Sequence, residues 1–205
     1  MSRAILCLCA SLLVSGCALS EDAIQVRYAA PEGSAVTRPS NGVAVMVVGK
    51  DGRVSRRDRV STKKNGYGME MAKITAANDV AAEVANAVQG ELQKLGFSVG
   101  PGGARISVEL DTFYSDFKMG LFSLDAVAEL KFTLVAYAVD GSIIYTKSYQ
   151  ATGTNPNILL AEGAQAKVAL DAALREAVQQ VAYDRTLHSL LLSAGKPKGA
   201  GRPTS

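Results

Sequence analysis

The sequence predicts a two-layer α+β domain, in which two long helices and a short C-terminal helix pack on one face of a mostly antiparallel sheet. Apolar and polar residues alternate over residues 106–115 and again over 126–138, which is the period of half-buried strands. Apolar residues recur at helical spacing over residues 78–95 and 158–183. The order strand, helix, strand meander, helix, helix favours helices that are segregated to one side of such a sheet.

The first residues have the pattern of a lipoprotein signal. One basic residue, Arg3, precedes an apolar run from Ala4 to Val14, and small residues lead to Gly16 and Cys17. We expect cleavage between Gly16 and Cys17 and acylation of the Cys17 sulfur and amino group. A transmembrane anchor is disfavoured because about 20 apolar residues are needed to span a bilayer. A plain secretory signal would instead be cleaved at an A-x-A-like site and leave the cysteine free.

Cysteine content and charge exclude several classes of protein. Cys7 and Cys9 lie in the predicted leader, so a mature chain acylated at Cys17 has no thiol for a disulfide or a metal. Without Arg3, 21 of the 22 Lys and Arg residues remain against 19 Asp and Glu residues, a net charge of +2. So small a charge does not indicate a polyanionic partner, and we expect no nucleic acid.

Composition divides the chain into four segments. We predict a signal peptide at 1–16, a lipidated flexible tether at 17–41, a single globular domain at 42–192 and a disordered tail at 193–205. The tether mixes Pro, Gly, Ser and charged residues without sustained periodicity. The alternation within Ile24–Tyr28 indicates an edge strand there as the alternative.

The first elements of the globular domain are a strand and a helix. Val43–Val48 is almost continuously apolar, as expected of a strand that is buried on both faces. We expect the helix to begin near Asn78, as the N-cap, with Asp79 in the first turn. Gly96 is placed to end it as the glycine that follows the helix.

A meander of strands follows. In the first long strand, Ile106, Thr112 and Tyr114 are expected to share one apolar face. Asp140-Gly141 is a strong hairpin signal between the next two strands. Pairing across this turn matches apolar residues on one face, with Lys147 opposite Leu134 as the one discord. The expected pairs are Ala138 with Ile143, Ala136 with Tyr145, and Phe132 with Tyr149.

The remaining elements are helical. Pro156-Asn157 is expected to end the sheet, and a long Ala-rich helix to run from about Ile158 to Tyr183. Asp184 can cap a short last helix that carries Leu187 and two further leucines.

A basic segment follows the first strand of the globular domain. Its cations are candidates for contact with an anionic lipid or cell-wall polymer. The alternative is a solvated loop that keeps an edge strand from pairing with neighbours. The candidate residues are Arg53, Arg56, Arg57, Arg59, Lys63 and Lys64.

The connection from Phe117 to Leu124 is unusually apolar for a link between strands. If it is exposed, it is a surface for a protein partner or for the membrane. If it folds over the end of the sheet, it is a lid on the core. The candidate partner-binding residues are Phe117, Met119, Leu121 and Phe122.

The sequence gives little support for catalysis, a metal or a cofactor. Glu109 and Asp111 share a strand face, but polar sheet surfaces commonly carry such pairs. His188 is the only histidine, so a Ser-His-Asp set or a histidine metal cluster cannot be built around it without further ligands. We therefore expect no enzyme activity.

The order of these motifs resembles the YajG-family lipoproteins of proteobacteria. The resemblance rests on the cysteine motif at Cys17, on Val43–Val48, on Gly96–Gly103 leading into residues 106–116, and on Asp184–Leu190. It implies an envelope location and supplies no catalytic residues. The basic segment, the apolar connection and the tail are larger than this family leads us to expect.

Together these observations predict a lipid-anchored, non-enzymatic domain that binds another envelope component, most simply a protein. The alternative is a transport accessory that binds lipid or glycan between sheet and helices. Ala18, rather than Asp, follows the cysteine, which by resemblance to enterobacterial lipoproteins implies the outer membrane, facing the periplasm, with the inner membrane as the alternative. The oligomeric state is left open.

Overall fold

The computed structural model describes residues 20–32, 42–120 and 123–194, which form eight strands and three helices. The strands are β1 (Asp22–Ile24), β2 (Ala44–Asp51), β3 (Ser61–Lys64), β4 (Glu70–Ala76), β5 (Ser98–Val99), β6 (Ala104–Met119), β7 (Leu124–Tyr137) and β8 (Ile143–Ile158). The helices are α1 (Val80–Lys94), α2 (Gly163–Ala182) and α3 (Arg185–Ala194). The predicted α+β class is confirmed.

The larger sheet has the strand order β5-β2-β6-β7-β8. Strands β6, β7 and β8 form the predicted antiparallel meander, whereas β2 runs parallel to both β5 and β6. The sheet is therefore mixed, and the expectation of a mostly antiparallel sheet was wrong in this respect. A parallel pair needs a crossover connection, and the segment between β2 and β5, which includes α1, returns the chain so that β5 and β6 run in the same direction as β2.

A second, three-stranded sheet has the order β1-β4-β3 and was not predicted. It adjoins β6 beyond the point where β2 ends, because Ser115 N donates to Val60 O at 2.8 Å and Ser61 Oγ donates to Ser115 O at 2.8 Å. Its strand β1 comes from within the predicted tether at 17–41 and pairs in parallel with the end of β4. The globular domain thus begins before residue 42, and the edge strand expected over Ile24–Tyr28 is found at Asp22–Ile24 instead, so the two share only Ile24.

All three helices lie on one face of the larger sheet. Gly49 of β2 faces α1, where an added Cβ would lie 2.3 Å from Ala81 O, and Gly153 of β8 faces α2, where it would lie 2.1 Å from Ala169 O. The strand registers place Gly49 and Gly153 on the same face of the sheet. The two close approaches bring both helices against the sheet with no intervening layer.

The predicted hairpin register is confirmed over most of its length. Phe132 pairs with Tyr149, Ala136 pairs with Tyr145, and Leu134 does lie opposite Lys147. A register shift next to the turn pairs Ile143 with Tyr137, so the predicted pair between Ala138 and Ile143 was wrong.

The helix boundaries differ from prediction where distant contacts decide them. Asp79, rather than Asn78, caps α1, and its carboxylate accepts from the backbone N–H groups of Ala81 and Ala82. Helix α2 begins at Gly163 rather than near Ile158, because β8 continues to Ile158 in pairing with Leu124. Helix α3 extends to Ala194, so the predicted tail starts within it, and residues 195–205 lie outside the described residues.

Candidate functional site

The predicted apolar connection is partly strand. Phe117 lies in β6, and its side chain is only 2 % exposed, so it belongs to the core and cannot contact a partner in the folded domain. The physical reason is a β-bulge between Leu110 and Thr112 that reverses the alternation of β6. After the bulge Phe113 and Phe117 face inward, and the predicted apolar face through Thr112 and Tyr114 was wrong.

The rest of that connection lies at the edge of the described structure. Met119 ends β6 and is half exposed, and the β3–β4 turn lies beside it, since a Cβ added to Gly68 would lie 3.1 Å from Met119 Sδ. Leu121 and Phe122 lie outside the described residues.

Arg53 organises the basic segment from inside. Its side chain is 6 % exposed, and its guanidinium donates to Asp51 Oδ1 at 3.0 Å, to Asp51 Oδ2 at 2.9 Å, and to the carbonyls of Arg57 and Arg59 at 3.3 Å. Side-chain hydrogen bonds from Arg53 hold the pKa of Asp51 below its usual range, in opposition to burial. The Arg53 guanidinium therefore holds the loop together and is not presented to an external anion.

The lysines of the segment also have carboxylate partners within the domain. Lys63 Nζ lies 2.8 Å from Asp22 Oδ1, and Lys64 Nζ donates to Asp116 Oδ1 at 2.6 Å. Both lysines are largely buried. The Lys63 pair joins β3 to β1 within the smaller sheet, and the Lys64 pair joins β3 to β6 of the larger sheet, so Lys64 stabilises the junction between the two sheets.

The remaining cations of the segment lie nearer the surface. Arg59 Nε lies 3.2 Å from Asp58 Oδ1, and hydrogen bonds from Lys73 and then Arg59 lower the pKa of Asp58 to about 2. Arg57 donates to the carbonyl of Asp51. The guanidinium of Arg56 lies 4.1 Å above the ring of Tyr114. Contact of these surface arginines with an anion remains a prediction.

Asp184 forms a polar cluster that the sequence indicated only as a helix cap. Its Oδ1 accepts from Leu187 N at 3.0 Å, which confirms the predicted cap of α3. Its Oδ2 accepts from Tyr145 Oη at 2.7 Å, Lys147 Nζ at 2.6 Å and Tyr149 Oη at 3.0 Å. Burial would raise the pKa of Asp184, but these donors outweigh it and hold the pKa well below the usual range.

The partners of Asp184 in this cluster come from β8 and from the start of α3. Lys147, the discordant residue of the hairpin, faces the helices because its ammonium pairs with Asp184. Burial, followed by hydrogen bonding, raises the pKa of Tyr149, so its hydroxyl stays protonated at neutral pH. The arrangement fixes the start of α3 on β8.

The segment 20–32 is fixed to both long helices. Asp22 Oδ2 accepts from Gly163 N at 2.9 Å, and so caps α2 from a distance where Glu162 makes no side-chain cap. Val26 exchanges two hydrogen bonds of 3.1 Å with the Asn78 side chain. Tyr28 Oη donates to Glu91 Oε1 and accepts from Gln179 Nε2, both at 2.8 Å, between α1 and α2.

The residues considered for catalysis are in ordinary structural surroundings. Glu109 pairs with Lys50 at 2.9 Å, and Asp111 accepts from Thr133 Oγ1 at 2.9 Å. His188 is buried in α3, with Nε2 3.1 Å from Val181 O. Within residues 20–32, 42–120 and 123–194, no group of three or more His, Cys, Asp or Glu side chains is placed to hold a metal ion.

Strand β8 is the outer edge of the larger sheet. Leu110 O accepts from Gly52 N, and Ser115 N donates to Val60 O, so the backbone groups of these two β6 residues point away from β7. Across β7, the register aligns Leu110 and Ser115 with Tyr149 and Gly153 of β8, whose backbone groups therefore point toward β7. Neighbouring residues of a strand alternate, so the backbone N–H and C=O groups of the even-numbered β8 residues point outward. Gln180 Nε2 donates to one of these outward carbonyls, that of Gln150, at 2.9 Å. The outward series is Thr146, Ser148, Gln150, Thr152 and Thr154.

Membrane insertion through a helix finds no support in the described part of the chain. None of α1, α2 and α3 combines the length and hydrophobicity that a bilayer span requires.

Three solved structures resemble this fold with low sequence identity. A DUF330 protein from Xanthomonas campestris is 14% identical, with 83% of this chain and 96% of that chain covered and a TM-score of 0.49. A protein from Caulobacter crescentus is 11% identical, with 68% and 92% covered and a TM-score of 0.39. A hypothetical protein from Chlamydia trachomatis is 10% identical, with 69% and 95% covered and a TM-score of 0.34.

The sequence comparisons identify the family. None of the curated proteins matches the chain significantly. The model of a family described as uncharacterised lipoproteins, Lipoprotein_16, matches residues 31–191, which include every described element from β2 to α2 and most of α3. The chain therefore belongs to this family of lipoproteins, the YajG family that its motifs resemble.

Proposed function

We propose that this lipoprotein is a non-enzymatic binding module, anchored through acylated Cys17 in the outer membrane and facing the periplasm. The family supports the lipoprotein class, and the leader pattern with Ala18 after the cysteine supports the anchor and the membrane. Among the described groups with strongly shifted pKa values, Tyr28, Tyr149 and Asp184 are engaged in contacts that join helices to the rest of the domain, and the exposed Asp58 is paired with Lys73 and Arg59. These groups have structural roles and are not arranged as an acid–base pair.

The observation that carries the proposal is the long outer edge of β8, which no described strand pairs with. Sixteen residues of β8 form the outermost strand among those described, and outward N–H and C=O groups recur along it. An exposed edge of this kind binds an extended segment of a partner by adding it as a further strand. We propose that the partner is an extended segment of another envelope protein, docked along Thr146–Thr154.

The alternative role, a carrier of lipid or glycan between helices and sheet, is less well supported. At Gly153 the backbone of α2 approaches β8 so closely that even a methyl group would overlap Ala169 O. The same holds at Gly49, against α1. An acyl chain would have to separate these contacts before it could enter.

Substitutions at Thr152 test the proposed edge in the native host. Proline there removes an outward N–H that β7 does not use, so the domain should fold, since edge strands tolerate proline at such positions. We expect Thr152→Pro to lose the envelope protein that co-purifies with the wild type, whereas Thr152→Val, which keeps the N–H, retains it. A photo-crosslinking residue at Thr154 should join the same protein to the edge.

Two results would argue against this docking site. One is retention of the partner by Thr152→Pro, with crosslinking absent at Thr154. The other is a crosslinked product with the mass of two copies of this chain, which would make the edge a homodimer contact.

A further inference from the structure

Exposed apolar side chains gather at one end of the domain. Leu159 is 83% exposed and Leu160 also lies on the surface, directly after β8. Met119 ends β6 and lies opposite Leu124 of β7, which in turn lies opposite Ile158 of β8, so all three are at the same end of the sheet. The β3–β4 turn lies beside Met119 and presents Met69 and Tyr67, the latter 89% exposed. We call Tyr67, Met69, Met119, Leu159 and Leu160 the apolar end.

The chain leaves the described domain toward the anchor at this same end. Asp22 binds Lys63 on one side, next to the β3–β4 turn, and Gly163 on the other, three residues after Leu160. Only Ala18, Leu19, Ser20 and Glu21 separate it from Cys17. Because an extended chain spans at most about 3.6 Å per residue, the Cα atom of Asp22 lies within about 18 Å of the Cα atom of Cys17.

From these two observations we infer that the apolar end rests on the bilayer and inserts its side chains into the interfacial layer. The inference rests on the acylation of Cys17 proposed above. A linker this short keeps the apolar end close to the lipid but does not orient the domain by itself. Exposed Leu and Met side chains supply the orientation because they are removed from water only when this end faces the membrane. A Tyr ring suits the same layer, where one side is apolar and the other is wet.

The charges at this end indicate an apolar rather than an electrostatic contact. Lys63 is paired with Asp22 and Lys64 with Asp116, and the exposed Lys118, next to Met119, lies opposite Asp125 in the strand register, so each of these lysines has an acidic neighbour. Binding through the apolar end should therefore not depend on anionic lipid. This distinguishes the proposal from docking of the basic segment on an acidic surface.

Position-specific fluorescence on the lipidated mature protein tests the inference. With the Cys17 sulfur acylated, a cysteine introduced at Tyr67→Cys or Leu159→Cys is the single site for an environment-sensitive dye. In phosphatidylcholine vesicles we expect both dyes to shift to shorter wavelength and to be quenched by brominated lipids. The matched control is Val139→Cys, an exposed position in the β7–β8 hairpin at the opposite end, which should show neither effect.

A pair of double variants separates insertion from anchoring. Met119→Ser with Leu160→Ser should reduce quenching of the dye at position 159, while the protein still floats with the vesicles through its acyl chains. Val139→Ser with Ile143→Ser, which removes two exposed apolar residues at the opposite end, should leave that quenching unchanged.

The outcomes distinguish this inference from the proposed anchor. Protein that carries no acyl mass at Cys17 and fails to float overturns both. If the protein is acylated and floats, this inference alone is overturned when quenching at positions 67 and 159 is absent or is matched at position 139. It is also overturned when that quenching requires anionic lipid. Quenching or a dye shift that depends on protein density overturns it as well, since this would indicate contact between copies of the chain.

Discussion

At the scale of single residues, buried charges here stabilise the fold. Asp184 accepts three side-chain hydrogen bonds on one oxygen and a backbone cap on the other. Arg53 similarly closes the loop that follows β2. Each was visible in the sequence, as a cap and as part of a basic segment. The side-chain partners of Asp184 were not visible, because they lie 35 to 39 residues away along the chain.

Replacing Asp184 by Asn tests the charge at this site. Asn keeps an oxygen for the Leu187 cap but presents an amide donor to Lys147 and the two tyrosines, so we expect a loss of about 2–3 kcal/mol in the free energy of unfolding at neutral pH. The pKa of Asp184 is lower in the folded state than in the unfolded state. The stability that its charge contributes is therefore fully present above the unfolded pKa of about 3.9, and it is lost as the pH falls toward the folded-state pKa.

Urea unfolding of both proteins, from about pH 7 to about pH 2.5, measures this effect. The difference between wild type and Asp184→Asn should narrow as the solution becomes more acidic. Glu176→Gln, at an exposed position of α2, is the control and should change little. A difference that stays constant across the range would show that the carboxylate charge is not its source.

At the scale of elements, the segment 20–32 is part of the domain. It adds β1 to the smaller sheet, caps α2 through Asp22, and places Tyr28 between α1 and α2. Much of its attachment is polar and comes from residues far along the chain. This is why its composition, which mixes Pro, Ser and charged residues without sustained periodicity, predicted a flexible tether.

Asn78→Ala tests the attachment of this segment. The substitution removes both hydrogen bonds to the Val26 backbone, so we expect a loss of about 1–2 kcal/mol in stability and faster tryptic cleavage after the exposed Arg27. Asn65→Ala is the matched control, since the Asn65 side chain also makes two hydrogen bonds to the backbone, both accepted from N–H groups within the β3–β4 turn. Equal cleavage rates after Arg27 in the two variants would contradict this role of Asn78.

At the scale of the whole molecule, the proposed anchor is close to the domain. Four residues separate Cys17 from Asp22 of β1, far fewer than in the tether that composition predicted, so acylation of Cys17 would keep the domain near the bilayer surface. The β8 edge runs along the sheet away from the apolar end toward the β7–β8 hairpin. In the proposed orientation, one end of the domain would contact lipid while the β8 edge remains open to a periplasmic partner.

Cys17→Ser tests the anchor itself. Without the thiol no diacylglyceryl group can be attached, so we expect the protein to leave the washed membrane fraction and its mass to lose the acyl increment. Cys7→Ser and Cys9→Ser, both in the leader, should leave lipidation intact. Membrane-bound Cys17→Ser protein that carries the wild-type acyl mass would disprove the assignment.

The sequence by itself determined the features that depend on neighbouring residues. These are the lipoprotein class, the glycine after α1, most of the β7–β8 register and the cap of α3, because signals, turns and caps are encoded within a few positions. Only the tertiary structure decided that Phe117 faces inward, that Arg53 is buried beside the carbonyl of Phe113, that Lys63 pairs with Asp22, and that β1 joins the domain beside the apolar end. These features depend on a bulge set by strand pairing and on contacts between distant segments, which local periodicity does not encode.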